Sequence, residues 1–190
     1  GGGATDAASG GIIPPIQPAT TFLRDESYDL VNPDNIYSRD DSDAMRAVER
    51  VLTQLARGKA ALAFPSGMAA TAAVFRSLPF GARVVLQSGI YWGTTKWARD
   101  FCARREIALI EVDASDIHAL QAACIAHDPD LVFVETPSNP WLKTADIRAA
   151  ARIAHTQGAK LVVDSTAATP VLTQPLALGA DIVMHSATKG

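Results

Sequence analysis

The residues best suited to do chemistry come late in the sequence, in His185-Ser186-Ala187-Thr188-Lys189, directly after the apolar run Ile182-Val183-Met184. A lysine buried or half-buried at a strand end is costly as a charged group. Burial lowers its pKa and makes a neutral amine available for imine chemistry. A lysine in a surface loop is the commoner occurrence, so the rest of the chain must decide. Asp164 ends another apolar run, Leu161-Val162-Val163. A carboxylate there needs a partner, such as a cationic ring nitrogen, an arginine or a helix cap, and Ser165 and Thr166 stand next to it to orient it. Ser66-Gly67-Met68-Ala69-Ala70 reads as a tight turn into a helix, where Gly67 permits close backbone approach and the first amides offer donors to a phosphate. Tyr91 and Trp92 lie between Gly89 and Gly93; they can stack on a planar ring or simply cap the core. Glu135-Thr136-Pro137-Ser138-Asn139-Pro140 gathers polar groups in a turn fixed by two prolines.

The elements that must position these residues follow an alternating pattern. Asp43 is a good N-cap for a helix to about Arg57, with Met45, Val48, Leu52 and Leu55 on one face and Gly58 closing it. Strands are predicted at 60–64, 83–87, 107–112, 131–135, 160–164 and 180–184. Helices are predicted at 67–77 and 94–104, from Asp116 to Asp128-Pro129, and from Asp146 to Gly158. In the last of these, Arg148, Arg152 and His155 leave Ile147, Ala150, Ala151 and Ala154 facing inward. Uniformly apolar strands separated by helix-length segments predict an α/β fold, a mostly parallel sheet with helices on both faces. In such a sheet ligands bind beyond the carboxyl ends of the strands. Ahead of it, Ile13-Pro14-Pro15-Ile16 and Pro18 exclude a helix interior, and residues 1–42 read as an extended N-terminal arm before the domain at 43–190.

The composition fits a soluble globular protein, with 48% hydrophobic and 19% charged residues. A net charge of −3 leaves no basic footprint for nucleic acid. The apolar runs are strand-sized, too short to span a bilayer, and residues 1–11 have no signal-peptide core. Cys102 and Cys124 fall at apolar helical positions, which favours reduced thiols in a cytoplasmic protein, and their spacing does not suit a metal. One sheet edge thus gathers a phosphate cradle, an aromatic, a carboxylate and an amine. Those are the demands of pyridoxal 5′-phosphate.

Taken together, Ile13-Pro14-Pro15-Ile16, Tyr37-Ser38-Arg39, Ser66-Gly67-Met68-Ala69-Ala70, Glu135-Thr136-Pro137-Ser138-Asn139-Pro140, Asp164 and Ser186-Ala187-Thr188-Lys189 resemble, in order and spacing, the Cys/Met-metabolism family of pyridoxal-phosphate enzymes. The resemblance implies the large domain of a fold-type I pyridoxal-phosphate-dependent transferase. It implies that Lys189 carries the cofactor and moves protons, and that Asp164, beside Thr166, holds the ring nitrogen protonated. Tyr91 would stack on the ring and act as acid or base toward the leaving group. Ser66, Gly67, Met68, Ser186 and Thr188 would bind the phosphate, with Tyr37 and Arg39 reaching it from a neighbouring subunit. Asn139 would contact the ring hydroxyl, with Glu135 supporting the site. Two stretches depart from the usual pattern: Asp40-Asp41-Ser42-Asp43 replaces an Asn-Pro-Thr-like turn, and Ala167-Ala168-Thr169-Pro170 replaces bulkier residues.

The expected activity is elimination or replacement at the β or γ carbon of a sulfur-containing or O-acyl-homoserine amino acid, best matched to cystathionine synthesis or cleavage at the γ carbon. Sulfhydrylase or methionine-cleaving chemistry is an alternative within the family. Outside it stand a non-catalytic piece that binds cofactor or subunits only, and a nucleotide-binding α/β protein, which lacks the glycine fingerprint. Family members are typically tetramers, dimers of dimers with shared active sites. The sequence reads as part of a longer enzyme that includes a smaller C-terminal domain and the arginine for the substrate carboxylate.

Overall fold

A computed structural model describes residues 5–189. The chain divides into two compact units, one ending at Ala63 and the other starting at Phe64.

In the first unit, residues 14–19 carry neither helix nor strand, as their prolines require. Two isolated bridges, Thr21 with Tyr37 and Arg24 with Leu30, fold the following segment back on itself. Helix α1 spans Asp43–Ala56, and its N-cap is Ser42 rather than Asp43. The Ser42 hydroxyl accepts from the Met45 N–H at 3.3 Å, leaving Asp43 in the first turn, where the helix dipole favours an anion. At the other end Arg57, not Gly58, takes the left-handed conformation (φ 53°), and the Gly58 N–H closes onto the Thr53 carbonyl. The strand expected at 60–64 does not form. Its residues alternate in exposure as a strand would, but no neighbour supplies a ladder, and the Ala63 N–H donates to the Glu49 carboxylate instead.

The second unit is a five-stranded, wholly parallel sheet in the order β2-β1-β3-β4-β5, with β1 Arg83–Gln87, β2 Ala108–Val112, β3 Leu131–Glu135, β4 Lys160–Asp164 and β5 Ile182–Met184. Helix α2 Gly67–Arg76 precedes β1, and between the strands run α3 Trp92–Arg104, α4 Ile117–His127 and α5 Ile147–Thr156. A short α6 at Thr169–Leu172 and a 3-10 turn at Leu176–Leu178 fall in a stretch where no element was expected. The predicted caps of α4 and α5 are present: Asp116 accepts from His118 and Ala119 N–H, and Asp146 from Ala149 N–H.

Alternation along the strands divides the core. Val85, Val132, Val134, Leu161 and Val163 pack with Leu120, Cys124, Ala150, Ala151 and Ala154 of α4 and α5. Val84, Leu86, Phe133 and Val162 pack on the other face with Phe75, Ala98 and Cys102 of α2 and α3. Both cysteines are free and buried, and burial pushes their thiols up to about 11, which makes them inert packing groups. Among the described residues no helix is long and apolar enough to cross a membrane.

The strand order sets the place of the site. From β1 the chain passes to β2 on one side, then crosses to β3 on the other. The switch point lies between β1 and β3, where the loops after the two strands diverge and open a crevice.

Candidate active site

Helix α2 starts at this edge. Ser66 caps it, its hydroxyl accepting from the Ala69 N–H at 3.1 Å. Gly67 is the first helical residue, and a Cβ built there would lie 2.9 Å from the Ser186 Cβ and 3.4 Å from its Cα. Its φ is not in the left-handed region, so the position needs glycine for space, not for backbone freedom. That close approach brings the helix N-terminus, with its free amides and partial positive charge, against the loop after β5. Met68 ties α2 to α3 through its sulfur, which accepts from the Thr94 hydroxyl at 3.7 Å.

The loop after β5 is built on the same contact. The Ser186 N–H donates to the Thr166 hydroxyl oxygen at 2.8 Å. The Lys189 ammonium donates to the Ser186 hydroxyl at 3.2 Å and to the Thr188 hydroxyl at 3.3 Å. Lys189 is exposed. Of the two placements its sequence position allows, buried at a strand end or exposed in a loop, the structure has the second: residues 185–188 carry it off the end of β5 into a hydroxyl-lined loop.

Asp164 ends β4 buried. It accepts from both the Thr166 N–H, at 3.0 Å, and the Thr166 hydroxyl, at 2.6 Å. Burial raises its pKa; the two bonds from Thr166 and the charges of His185 and Lys189 pull the other way. Glu135 is its in-register neighbour on β3. Burial, with a further push from Asp164, raises the Glu135 carboxyl from 4.5 to about 7, against bonds from the Asn139 and Tyr91 N–H groups. Two acidic groups thus sit side by side at the carboxyl edge of the sheet.

Tyr91 precedes α3, which starts at Trp92 rather than at Thr94 as expected. The Tyr91 side chain makes no capping bond. Its ring folds over the first turn, where a Cβ on Gly93 would come within 2.5 Å of it, so Gly93 supplies the space the ring occupies. Asn139 forms the second of two cis X-Pro bonds in its loop, Thr136-Pro137 and Asn139-Pro140. Tyr37 and Arg39 lie in the first compact unit, the Arg39 guanidinium 5.0 Å above the Tyr37 ring.

Sequence reasoning gave no role to Gln87, His185 or Gly93. Gln87 is buried at the end of β1, and its side-chain carbonyl accepts from the Glu135 N–H at 3.1 Å. Its signal was the one that marked Glu135 and Asp164, a polar residue closing an apolar strand. His185 faces the Ser165 carbonyl at 3.2 Å through Nδ1, and burial lowers its pKa.

An α/β edge that joins an open helix terminus, a buried carboxylate with no protein cation on it and a hydroxyl-held amine suits one class of ligand, a phosphorylated cationic ring held through an amine. Pyridoxal phosphate fits these residues. The Gly67–Ser186 approach leaves a helix terminus that suits a phosphate, and among the described residues the side-chain oxygens of Asp164 accept only from Thr166. The chain belongs to the Cys/Met metabolism PLP-dependent enzyme family, which it matches over residues 1–189. It is 38% identical to the cystathionine gamma-lyase of Dictyostelium discoideum, over 99% of this chain and 48% of that protein, and 38% identical to the cystathionine beta-lyase of Lactococcus lactis subsp. cremoris, over 100% and 49%. Among solved structures it resembles metB from Corynebacterium glutamicum (TM-score 0.89, 37% identity, 98% of this chain and 49% of that one). It also resembles cystathionine gamma synthase from Xanthomonas oryzae pv. oryzae (TM-score 0.87, 32% identity, 96% and 47%). The fold is that of the fold-type I pyridoxal-phosphate enzymes. The chain spans about half the length of the curated relatives it matches.

Gly67→Ala tests the cradle. The new methyl meets Cβ and Cα of Ser186, which cannot swing away as a long side chain would. The expected cost is roughly 1–3 kcal/mol of stability, with weakened phosphate binding. Chemical denaturation and a pyridoxal-phosphate titration measure the two; a variant unchanged in both would show that the approach is dispensable.

Proposed function

We propose that this chain is the cofactor-binding part of a pyridoxal-phosphate enzyme of sulfur amino-acid metabolism. In this reading it acts by elimination or replacement at the β or γ carbon, with cystathionine γ-synthase or γ-lyase chemistry preferred. The observation that carries the reading is that Ser186 touches both the helix terminus at Gly67 and the ammonium of Lys189, so phosphate cradle and amine are one construction.

When bound, the cofactor supplies an aldehyde for the amine and a ring that withdraws electrons from the substrate Cα. Lys189 holds it and moves the proton at Cα. Asp164, oriented by Thr166, keeps a proton on the ring nitrogen. The amides of Gly67 and Met68, with Ser66, Ser186 and Thr188, hold the phosphate. Tyr91 would stack on the ring, and its hydroxyl would serve as acid or base toward the leaving group. Asn139 would contact the ring hydroxyl. Tyr37 and Arg39 contribute to the phosphate site of a neighbouring subunit in a tetramer built as a dimer of dimers, in the cytoplasm, with the arm at 1–42 packing between subunits. The names of the relatives, γ-lyase, β-lyase and γ-synthase, support the substrate class.

Purified protein mixed with pyridoxal phosphate is expected to develop the visible band of the lysine-bound cofactor, and Lys189→Ala to lose it. A colourless wild-type protein with no uptake would overturn the reading. The reaction itself is read from the full-length parent, assayed with cystathionine, with O-acyl-homoserine plus cysteine, and with methionine. Turnover confined to a substrate outside that set rejects the preferred chemistry.

A further inference from the structure

We propose that Glu135 is a positioning residue that holds Tyr91 and Asn139 in fixed relation to each other across the crevice, with Gln87 holding Glu135. What those two residues do to the cofactor rests on the function proposed above; the clamp itself does not.

The parallel ladder between β1 and β3 runs through Val84–Leu131, Val85–Val132 and Leu86–Phe133 and stops there. Beyond it the two strands part at the switch point, and the backbone no longer joins them. Side chains take over. The Gln87 carbonyl accepts from the Glu135 N–H at 3.1 Å. The Glu135 carboxylate accepts from the Tyr91 N–H with both oxygens, each at 3.2 Å, and from the Asn139 N–H at 2.6 Å. One buried group thus fixes the backbone of the residue before α3 and of a residue four positions along its own loop. Glu135 is only 4% exposed, so water does not compete for these bonds.

A carboxylate suits the task because both its oxygens only accept. The isosteric amide has one accepting oxygen, and its NH₂ would face the Tyr91 N–H, donor against donor. Aspartate keeps the charge but falls short by a methylene and cannot span both amides. The two variants therefore separate position from charge.

The experiment compares wild type, Glu135→Gln and Glu135→Asp by amide hydrogen exchange and by the induced circular dichroism of bound pyridoxal phosphate. Exchange at Tyr91 and Asn139 is expected to quicken about tenfold or more in both variants, relative to core amides of β4. Among cofactor-loaded proteins, the induced dichroism is expected to change in both variants, because the ring follows Tyr91 and Asn139. Unchanged exchange at both amides overturns the clamp. So does an Asp variant that matches wild type in exchange and dichroism while the Gln variant does not, since charge alone would then suffice. A wild type that takes up no pyridoxal phosphate refutes the proposed function, while the exchange data still decide the clamp.

Discussion

Asp164→Asn is expected to leave a folded protein that takes up pyridoxal phosphate and shows the visible band, yet to lower kcat/KM of the full-length enzyme by about 10²–10³-fold. The substitution preserves size and an accepting oxygen for the two Thr166 donors, so the link through Thr166 to Ser186 survives. What it removes is the negative charge. Among the described residues no cation pairs directly with that carboxylate, and its largest electrostatic cost is burial. A buried carboxylate with no direct protein cation fits a cation brought by the ligand. In the proposed site, asparagine would remove the charge that keeps the ring nitrogen protonated, and the ring would withdraw electrons less strongly. Stability at neutral pH should not fall, because a desolvated charge has gone. A variant with kcat/KM within about threefold of wild type, far short of the loss of such a preorganised charge, would exclude this role for Asp164.

The second large effect concerns stability against pH in the cofactor-free protein. The Glu135 carboxyl rises from 4.5 to about 7 on folding. Between those values the folded state binds this proton more tightly than the unfolded state, so the contribution of Glu135 to stability falls as pH rises through the window and is constant above it. At about 1.4 kcal/mol per unit, the loss amounts to roughly 3 kcal/mol. Asp164, also raised, acts in the same direction. His185 acts oppositely: its folded pKa is lowered, so it costs stability on the acid side. Asp113, held down to about 2 by Lys143 and Ser115, and Asp181, held down by His155, Leu161 and Lys160, contribute stability that is lost only in stronger acid. The difference between wild type and Glu135→Gln cancels these shared terms. That difference, from denaturant unfolding at pH 4.5 to 8, is expected to move against wild type by roughly 3 kcal/mol and then flatten. Parallel profiles would refute it.

The parallel sheet and its helices were legible because buried strands leave continuous apolar runs and because Asp116 and Asp146 are unambiguous caps. Asp164 and Glu135 were legible for the same reason, as acids closing apolar strands. Residues 60–64 misled because alternation describes one strand, whereas a ladder needs a partner that local sequence does not reveal. For Lys189 the sequence left burial and loop exposure open, because how far a side chain stands from the last strand depends on the loop that carries it. Gln87 escaped notice because its significance lies in where β1 and β3 part, a property of strand order. Ser42 and Asp43 are equally good caps by type, and only the backbone distinguishes them.

Strand order also bears on how the protein is made. A ribosome releases the chain from its N-terminus. The helix terminus at Gly67, the Glu135 loop and Asp164 all precede Lys189, which follows β5 at the border of the sheet. Ser186, the other wall of the cradle, emerges only three residues ahead of the amine. On the proposed site, the nascent chain would therefore hold both acids before the phosphate seat is complete or the attachment lysine is made. On the proposed site, cofactor capture would wait for the loop after β5, and intermediates in synthesis could not yet hold the reactive aldehyde through Lys189.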